Sequence, residues 1–442
     1  MSRRPSRHGR GPKKPRIKLP PPATVDIEKL ESHGDGAGLA PDGKRVYVPN
    51  TLPGDRVQIE FIANRGDGYA ARVTEFLEQM PRRDVDCPVF ETCGGCQLQH
   101  VPDADYLAWK SDTVRMAFAR QGLDANIRPL VSAPLSSRRR TTIKVKRTSG
   151  GVILGFNAAQ SDQIVDIDHC PRLTEPLNRL IAPIRSLSEK LLPTNGAARF
   201  AITDIGANAL DVVIETDVEL DLERLEILSE FAHAHQISRI TRKSSDNLLE
   251  PVIELKSVAV TLAGARVPLP PDSFLQPSVE GERILTDLVI NSASSAAHVI
   301  DLYAGVGTFS VPLAKSAKSV LAIDGASHQI GALQAAINQD VKLANIKTET
   351  RDLQRNALVS SELNHADAII FDPPRGGAKE QSFEIAQSSV SLIIAVSCNP
   401  ATMARDLRCL VDGGYEIDHV TPVDQFPMSY HVEAVAVLRR LQ

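Results

Sequence analysis

The sequence predicts a multidomain α/β protein whose carboxyl-terminal part is a doubly wound sheet. Two observations lead to this fold class. From about residue 272 apolar runs alternate with helical stretches, and reactive side chains follow several of those runs. The segment before this region is different in character, with short strand-like runs near the start of the chain. A chain of 442 residues is too long for one hydrophobic core, so two or three domains are expected.

Bulk composition narrows the class of protein. The chain is 42% hydrophobic and 24% charged, which is typical of a soluble globular protein. No apolar run approaches the ~20 residues of a membrane helix, and no apolar segment follows the basic start. We therefore predict a cytoplasmic protein with no membrane partner, and we expect a monomer.

The first 18 residues carry eight Lys or Arg and no acid, although the whole chain has a net charge of −4. A basic, Pro-rich stretch cannot bury a core, so residues 1–20 are predicted to be a disordered tail. It is either a solubilising arm or, as we expect in view of the motifs below, a phosphate-binding arm for RNA.

Residues 21–82 predict a small barrel of the OB kind. Val46 and Val48 alternate with polar residues, as do Val57, Ile59 and Phe61, which is the period of half-buried strands. Barrels of this kind often bind single-stranded nucleic acid, and we expect RNA contact here.

Residues 83–271 form a predicted mixed α/β central region with a helix that starts at a capping Asp103 and buries Leu107, Val114 and Phe118. A run of six cations over 138–147 is predicted to hold phosphates.

Four cysteines stand out in a C-x5-C-x2-C pattern with a distant fourth: Cys87, Cys93, Cys96 and Cys170. In a cytosolic protein this spacing indicates a metal site, and four thiolates suit either zinc or an iron–sulfur cluster. Cys409 is left over and is expected to be a buried thiol.

Residues 272–442 are predicted to form the doubly wound sheet, with strands at 297–302, 319–323, 367–371, 391–397 and 432–438. Gly305-Val306-Gly307 follows the first of these and precedes a helix predicted to begin near Thr308, so its backbone can approach a ligand. The third glycine of a nicotinamide fingerprint is missing. Asp324 ends the next strand and can accept hydrogen bonds from a ribose. With the Asp-Pro-Pro-Arg segment at 372–375, this pattern favours S-adenosylmethionine.

The most specific chemistry lies in Ser397-Cys398-Asn399-Pro400, after a buried strand, and in His431-Val432-Glu433. A thiolate that adds to carbon 6 of uracil makes carbon 5 nucleophilic, and a base must then remove the carbon 5 proton. The reaction needs one Cys and one carboxylate around a flipped-out base. Cys398 and Glu433 are the pair with suitable placement.

These motifs resemble the RNA 5-methyluridine methyltransferases of the TrmA and RumA type, most closely the members that act on 23S ribosomal RNA. The resemblance covers about residue 24 to the end and includes F-x-Q at 274–276, DLYAGVGTF, DPPR, SCNP and HVE. It implies a class I, Rossmann-like S-adenosylmethionine methyltransferase domain, an N-terminal TRAM barrel, and a four-iron four-sulfur cluster on the four cysteines. It also implies that Cys398 is the nucleophile and Glu433 the base.

By the same resemblance six residues contact S-adenosylmethionine: Gln276, Tyr303, Thr308, Asp324, Asp352 and Asp372. Asp372 also orients the uracil in this interpretation. The chain departs from the family pattern at three positions. Asp324 stands in place of Glu, Ser278 in place of Asn, and Met428 in place of a commonly polar residue.

The leading hypothesis is methylation of carbon 5 of a uridine in 23S rRNA. The alternatives are the same chemistry on transfer RNA and a non-catalytic RNA-binding or redox protein that uses the cluster. The intact Cys398, Glu433 and DPPR argue against the last. An adenine or guanine amino-group methyltransferase is disfavoured because it has no use for Cys398, and cytosine methylation normally places its Cys in a different motif.

Overall fold

The computed structural model describes residues 19–206 and 209–441, so all but the last two residues of the predicted tail, 1–20, lie outside the described residues. The chain divides into two compact units, one ending at Arg82 and the other beginning at Arg83. No helix in the described part of the chain is both long and apolar enough to cross a membrane. The domain boundary at 271/272 stays a prediction.

The first unit is a six-stranded sheet in the order β1-β5-β6-β4-β3-β2. Its strands are β1 (Ala23–Asp26), β2 (Lys29–Leu30), β3 (Gly36–Leu39), β4 (Arg45–Val48), β5 (Arg56–Arg65) and β6 (Gly68–Glu78). The predicted alternation is confirmed, since Val46, Val57 and Ile59 are buried on one face while their neighbours are not. At Gly38 a Cβ would stand 2.2 Å from the carbonyl oxygen of Asp26, so two strands approach here as only glycine allows.

The second unit begins with α1 (Asp103–Arg120) and β7 (Val131–Ser132). A seven-stranded sheet follows, in the order β10-β9-β8-β11-β12-β13-β14. Its elements are β8 (Arg140–Thr148), β9 (Gly151–Asn157), β10 (Ile164–Asp166), α2 (Glu175–Asn178), α3 (Ile181–Leu191), β11 (Ala197–Gly206), β12 (Ala209–Glu215), α4 (Leu222–Ala234), β13 (Ile237–Lys243) and β14 (Leu249–Glu254). The apolar faces of α3 and α4 join the buried face of this sheet in one core.

The rest of the second unit is built on an eight-stranded sheet in the order β19-β18-β17-β20-β21-β23-β22-β7. Its elements, with a preceding hairpin, are β15 (Ala259–Leu262), β16 (Ala265–Pro268), α5 (Val279–Ser292), β17 (His298–Leu302), α6 (Ser310–Leu313), β18 (Ser319–Asp324), α7 (Ser327–Gln339), a 3₁₀ turn (Val341–Leu343), β19 (Ile346–Thr350), α8 (Ser360–Leu363), β20 (Ala368–Phe371), α9 (Lys379–Gln387), β21 (Leu392–Ser397), α10 (Pro400–Asp412), β22 (Tyr415–Asp424) and β23 (Glu433–Arg440). The five predicted strands are confirmed within two residues. Strands β17 to β21 are parallel, and β23 runs antiparallel between β21 and β22.

Helix α1 packs on the eight-stranded sheet, with Val114 and Phe118 in the same core as β20 and β21. Two details of its prediction are wrong. The residue before the helix is Pro102, and Asp103 is already its first helical residue. Leu107 is exposed, while Tyr106 and Lys110 are buried instead. The helix therefore turns two polar side chains inward, and they take part in the site described below.

Candidate active site and cysteine cavity

Strand register gathers four of the predicted site residues at one edge of the eight-stranded sheet. Leu302 pairs with Phe371, and Phe371 pairs with Ala395 on the next parallel strand. The residues that follow these strands therefore emerge at the same carboxyl edge: Tyr303, Asp372 and Cys398. Glu433 reaches this edge from the opposite direction, because β23 is antiparallel to β21.

Cys398 and Glu433 are neighbours by register. Ser397 pairs with Ala434, and one residue beyond this pair lie Cys398 on one strand and Glu433 on the other. The charge of Glu433 acts on the thiol, which shows that the two side chains share one environment. Cys398 is half-buried, and Glu433 is 5% exposed.

The turn at Asn399 joins the two most specific motifs. The Asn399 carboxamide oxygen accepts from the N–H of Ala401 at 3.1 Å and so caps α10. Its Nδ2 donates to the carbonyl oxygen of Arg375 at 3.2 Å, and the Thr402 hydroxyl donates to the same oxygen at 3.3 Å. The Asp-Pro-Pro-Arg segment is thus held against the loop that carries the thiol.

Burial dominates the ionisation of both groups. It raises the pKa of the Cys398 thiol to about 11, helped by the charges of Glu433 and Asp372 and opposed by Arg375. It also raises the pKa of Glu433 to about 8, again helped by Asp372 and opposed by a hydrogen bond from Gln425 and by Arg375. A carboxyl with a pKa near neutral pH is suited to accept a proton and release it.

A chain of side-chain hydrogen bonds links this pair to the predicted cofactor residues. Gln425 donates to the Gln276 carboxamide oxygen at 3.0 Å, and Gln276 Nε2 donates to Asp372 Oδ2 at 3.4 Å. Burial raises the pKa of Asp372 to about 7. Gln276 therefore lies between the predicted base and the Asp-Pro-Pro-Arg segment.

One guanidinium faces the thiol. Arg375 hydrogen-bonds the Cys398 side chain, and its Nη2 lies 3.3 Å from His431 Nε2. Arg375 is exposed, so a ligand that reaches the thiol can also reach the guanidinium.

The predicted cofactor loop adopts the backbone that its glycines suggest. Gly305 and Gly307 have φ of 57° and 95°, and a Cβ at Gly307 would stand 2.8 Å from the side chain of Leu333. Tyr303 also has a positive φ, 63°, which is uncommon for a side chain of that size. The helix expected near Thr308 is a single turn at α6, so Thr308 lies in the turn that precedes it.

Asp324 and Asp352 lie at the ends of neighbouring strands. Asp324 accepts from the N–H groups of Gly305 and Ala326 at 2.9 and 2.7 Å, so its carboxylate already ties the glycine loop to β18. Asp352 is exposed and accepts from the N–H of Gln354 at 3.1 Å. A Cβ on Gly325 would come 3.5 Å from the Cα of Asp352, so the two acidic residues flank one turn.

Sequence reasoning missed Asp301 as a site residue. It is fully buried at the end of β17, accepts from the Ser310 hydroxyl, and leaves Oδ1 without a hydrogen-bond partner. Burial raises its pKa to about 7, and the charges of Asp372 and Asp324 add to the effect. Its place in an apolar strand before the glycine loop was the available signal. Asp301, Asp324 and Asp372 therefore lie close enough to interact at this edge of the sheet, where Glu433 adds a fourth carboxyl group.

The four predicted metal ligands line one cavity of about 540 Å³. The wall contains Cys87, Cys93, Cys96 and Cys170, with residues of the 425–429 segment. Burial raises the pKa of Cys96 to about 12, and the charge of Cys170 contributes. Within the described ranges no three or more His, Cys, Asp or Glu side chains converge closely enough to hold a single metal ion. Cys409, which was predicted to be a buried thiol, is half-buried on α10.

The predicted phosphate role of the basic run is wrong for Arg139, which is buried and ion-paired, and Arg140 also makes an internal contact. Arg139 is buried, pairs with Glu282 at 2.6 Å, and donates from Nε to the carbonyl oxygen of Gln276 at 3.0 Å. Arg140 donates to the carbonyl oxygen of Leu275 at 2.9 Å. These side chains hold the segment that presents Gln276.

Two departures from the family pattern have local explanations. Ser278 is the N-cap of α5, and its hydroxyl accepts from the N–H of Gly281 at 2.9 Å. Met428 is buried, and Arg83 Nη1 lies 3.1 Å from its sulfur. Neither side chain contacts Cys398 through a described hydrogen bond.

Two family models match parts of the chain. Residues 264–441 match the family model described as tRNA (Uracil-5-)-methyltransferase, and residues 23–62 match the TRAM domain. An uncharacterized RNA methyltransferase of Brucella suis is 37% identical over 417 residues, covering 94% of this chain and 97% of the relative. An uncharacterized RNA methyltransferase of Caulobacter vibrioides is 38% identical over 427 residues, covering 94% and 99%.

The fold has a solved counterpart. The tRNA (uracil-54, C5)-methyltransferase of Pyrococcus abyssi, solved in complex with S-adenosyl-L-homocysteine, superposes with a TM-score of 0.72 at 21% identity, covering 94% of this chain and 100% of that one. This likeness confirms the methyltransferase fold, and the family model confirms the TRAM domain. The chain therefore belongs to the family of RNA methyltransferases that carry a (uracil-5-)-methyltransferase domain.

Proposed function

We propose that this protein transfers a methyl group from S-adenosylmethionine to carbon 5 of a specific uridine in 23S rRNA. The observation that carries the proposal is the pairing of Ser397 with Ala434, which brings the Cys398 thiol and the Glu433 carboxyl to adjacent positions at one sheet edge. One thiol and one carboxyl are the two groups that the reaction requires.

The proposed reaction has three steps: attack by the thiolate, methyl transfer, and proton removal with release of the thiolate. The Cys398 thiolate forms a bond to carbon 6 of uracil, and the π electrons of the ring move onto the carbonyl oxygen to give an enolate. Carbon 5 then attacks the methyl group and displaces a neutral thioether. Glu433 takes the proton from carbon 5, the ring double bond re-forms, and the carbon–sulfur bond breaks to return the thiolate. Arg375 supports the first step because its charge favours the thiolate.

The residues around the glycine loop suit the cofactor. S-adenosylmethionine supplies a methyl group on a positively charged sulfur. Asp301, Asp324 and Asp372 place three carboxyl groups near the glycine loop, and the unpartnered Oδ1 of Asp301 adds a buried acceptor. We propose that Gln276, Tyr303, Thr308, Asp324, Asp352 and Asp372 bind it. The positive φ of Tyr303 and of both glycines gives the loop a shape that a ligand can approach closely.

The donor set of the cysteine cavity suits an iron–sulfur cluster. We propose that Cys87, Cys93, Cys96 and Cys170 each bind a different iron of a four-iron four-sulfur cluster. Four thiolates are the ligand set of such a cluster, and the four thiols line one cavity. The buried Nε and Nη1 of Arg172 have no hydrogen-bond partner, and they supply N–H donors beside Cys96.

The domain division supports an RNA substrate. We propose a TRAM domain at 21–82, a cluster-bearing central domain at 83–271 and a methyltransferase domain at 272–442. The TRAM match and the cysteine cavity together favour ribosomal RNA. The alternative is the same chemistry on a tRNA uridine, and the description of the matched family model, which names tRNA, supports it.

The test is methyl transfer from labelled S-adenosylmethionine to purified 23S rRNA and to bulk tRNA that both lack 5-methyluridine. We expect incorporation at a single class of uridine in the rRNA, lost in Cys398→Ala and kept in Cys409→Ala. Incorporation into tRNA alone would move the proposal to the alternative substrate. No incorporation into either RNA would contradict the enzymatic assignment.

A further inference from the structure

Helix α1 places two polar side chains in the interior of the second unit. Tyr106 and Lys110 are four residues apart, so they project from the same face of the helix. Lys110 is 0% exposed. A fully buried ammonium destabilises a fold unless it is paired and hydrogen-bonded, so its partners indicate why it is there.

Both side chains bind Asp424, the last residue of β22. Lys110 Nζ lies 3.0 Å from Asp424 Oδ1, and the Tyr106 hydroxyl donates to Oδ2. Asp424 is only 1% exposed. We name these three residues the clamp. Lys110 also donates to the carbonyl oxygen of His431, and the Tyr106 hydroxyl accepts from the N–H of Met428 at 3.0 Å.

The clamp therefore holds the segment between β22 and β23 at several points. We name residues 425–432 the base loop, because Glu433 follows it directly. Asp424 lies at its start, Met428 in its middle and His431 near its end. Met428 has a φ of 67°, a conformation that non-glycine residues adopt only when the surroundings enforce it.

The cysteine-bearing segment holds the same loop from the other side. The N–H groups of Gln97 and Leu98 both donate to the carbonyl oxygen of Met428 at 3.0 Å. The N–H of Tyr430 lies 3.4 Å from the Gln97 side-chain oxygen. Cys96 immediately precedes these residues, so the cavity wall and the base loop form one connected structure.

The base loop also touches Glu433 through Gln425, its first residue. Gln425 hydrogen-bonds the Glu433 carboxylate and donates to Gln276 at 3.0 Å. A shift of the loop would move Gln425 at one end and Glu433 at the other. A displacement of about 1 Å in a catalytic group is enough to cost a large part of its rate.

We propose that Tyr106 and Lys110 are positioning residues: through Asp424 they fix the base loop and so hold the Glu433 carboxylate where it takes the proton from carbon 5. This inference rests on the proposed function, because it takes Glu433 as the base. The role is one of positioning because the contacts of Lys110 are to Asp424 and to the His431 carbonyl oxygen. The clamp thus serves the second half of the reaction, proton removal and release, and leaves the first half, attack by Cys398, unaffected.

The test separates the two halves. With 5-fluorouridine at the target, attack and methyl transfer can occur, but no proton can be removed from carbon 5. The rate of adduct formation on this RNA therefore measures the first half of the reaction. Turnover on ordinary RNA requires both halves. The variants are Tyr106→Phe, which removes one hydroxyl, and the double change Lys110→Met with Asp424→Asn, which removes the buried ion pair without leaving an unpaired charge. The matched control is Tyr415→Phe, because this buried hydroxyl donates to the carbonyl oxygen of Val390 at 2.8 Å, away from the base loop.

We expect both clamp variants to form the fluorouridine adduct within about twofold of the wild-type rate, while turnover falls tenfold or more and methylated RNA stays attached to the protein. Tyr415→Phe should change neither rate. Unchanged turnover in a folded clamp variant overturns the inference. An equal fall in both rates also overturns it, because it reports a general loss of folded protein. If the wild type forms no adduct, the Cys398 assignment fails as well, and this outcome distinguishes failure of the proposed function from failure of the clamp alone.

Discussion

The catalytic edge of the eight-stranded sheet and the cysteine cavity both gather reactive side chains, but they do so by different means. At the edge, backbone register brings Cys398 beside Glu433, so the distance between them follows from strand pairing. In the cavity, four cysteines come from loops and a turn, and Cys170 lies 74 residues after Cys96 in the sequence. A register-built site is held by the sheet itself, whereas a loop-built site needs something that binds its parts together.

The comparison predicts different failures in the two regions. A change at the sheet edge should alter chemistry and leave the fold intact, because the surrounding strands are buried and fully paired. A change in the cavity should alter folding first, because metal binding to thiolates contributes folding free energy.

The largest effect is expected for Glu433→Gln. The amide keeps the shape of the side chain but cannot take the carbon 5 proton, so turnover should fall about 10²–10⁴-fold. Methyl transfer should still occur once, and the RNA should remain covalently attached. The measurement is a denaturing gel with labelled RNA. Wild-type turnover in this variant would remove Glu433 from the role of base.

The next effect concerns the cavity. Protein purified without oxygen should contain about four irons per chain, and Cys96→Ser should lower the iron content, the soluble yield and RNA binding. Adduct formation per folded molecule should change much less. The matched control is Cys409→Ser on α10, outside the cavity lining. Zinc in place of iron would contradict the cluster, and a Cys96→Ser protein that stays fully folded and active would contradict its structural role.

A smaller effect is expected at Arg375. Its charge lowers the pKa of the Cys398 thiol, so Arg375→Gln should raise that pKa and leave less thiolate at neutral pH. Because Arg375 is exposed, we expect only about a threefold to tenfold slower adduct formation. Arg375→Lys keeps the charge and should lie closer to the wild type. Equal rates for both variants would show that the charge does not act on the thiol.

The pH dependence should differ between the two halves of the reaction. Glu433 must be ionised to act as a base, so with its pKa of about 8 the rate of proton removal and product release should rise about fivefold between pH 7 and pH 8 and then level off. Adduct formation with fluorouridine RNA needs only the thiolate, and with a pKa of about 11 it should keep rising above pH 8. Stopped-time assays of both rates across pH 6.5–9.5 check this. Identical pH profiles would contradict this prediction, because they would show that the ionisation of a single group controls both rates.

The smallest effect is expected for the basic tail. Removal of residues 1–18 takes away up to eight phosphate contacts, so the logarithm of RNA affinity should fall less steeply with the logarithm of salt concentration. Filter binding at several salt concentrations measures the slope. An unchanged slope would show that the tail does not contact RNA. It would not bear on the roles of the catalytic edge or of the cysteine cavity.

The sequence was sufficient for most of the sheet edge because the glycine loop, the Asp-Pro-Pro-Arg segment and Ser397-Cys398-Asn399-Pro400 each follow or end an apolar run. Parallel strands such as β20 and β21 are buried on both faces, so their positions can be identified without knowledge of their neighbours. The antiparallel insertion of β23 was not apparent, since nothing in its residues specifies strand order. Strands β19 and β22 were missed because their patterns mix polar and apolar residues.

Interior polar contacts could not be predicted in the same way. From the sequence alone, Lys110 on a helix is expected to be solvated. It is buried because it pairs with Asp424, which lies 314 residues later in the chain. Arg139 sits in a run of cations that suggests a phosphate surface, but its partner Glu282 lies 143 residues away. Such pairings depend on tertiary contacts between distant segments, and local composition carries no record of them.

The central claim is that strand register makes Cys398 the nucleophile. The most direct measurement is the mass of the peptide that becomes attached to RNA carrying 5-fluorouridine at the target, after protease digestion of the denatured adduct. The account predicts that the cross-linked peptide contains Cys398 and that its mass includes one added methyl group. Attachment through Cys409 or a cavity cysteine, or an adduct that persists in Cys398→Ala, would contradict it.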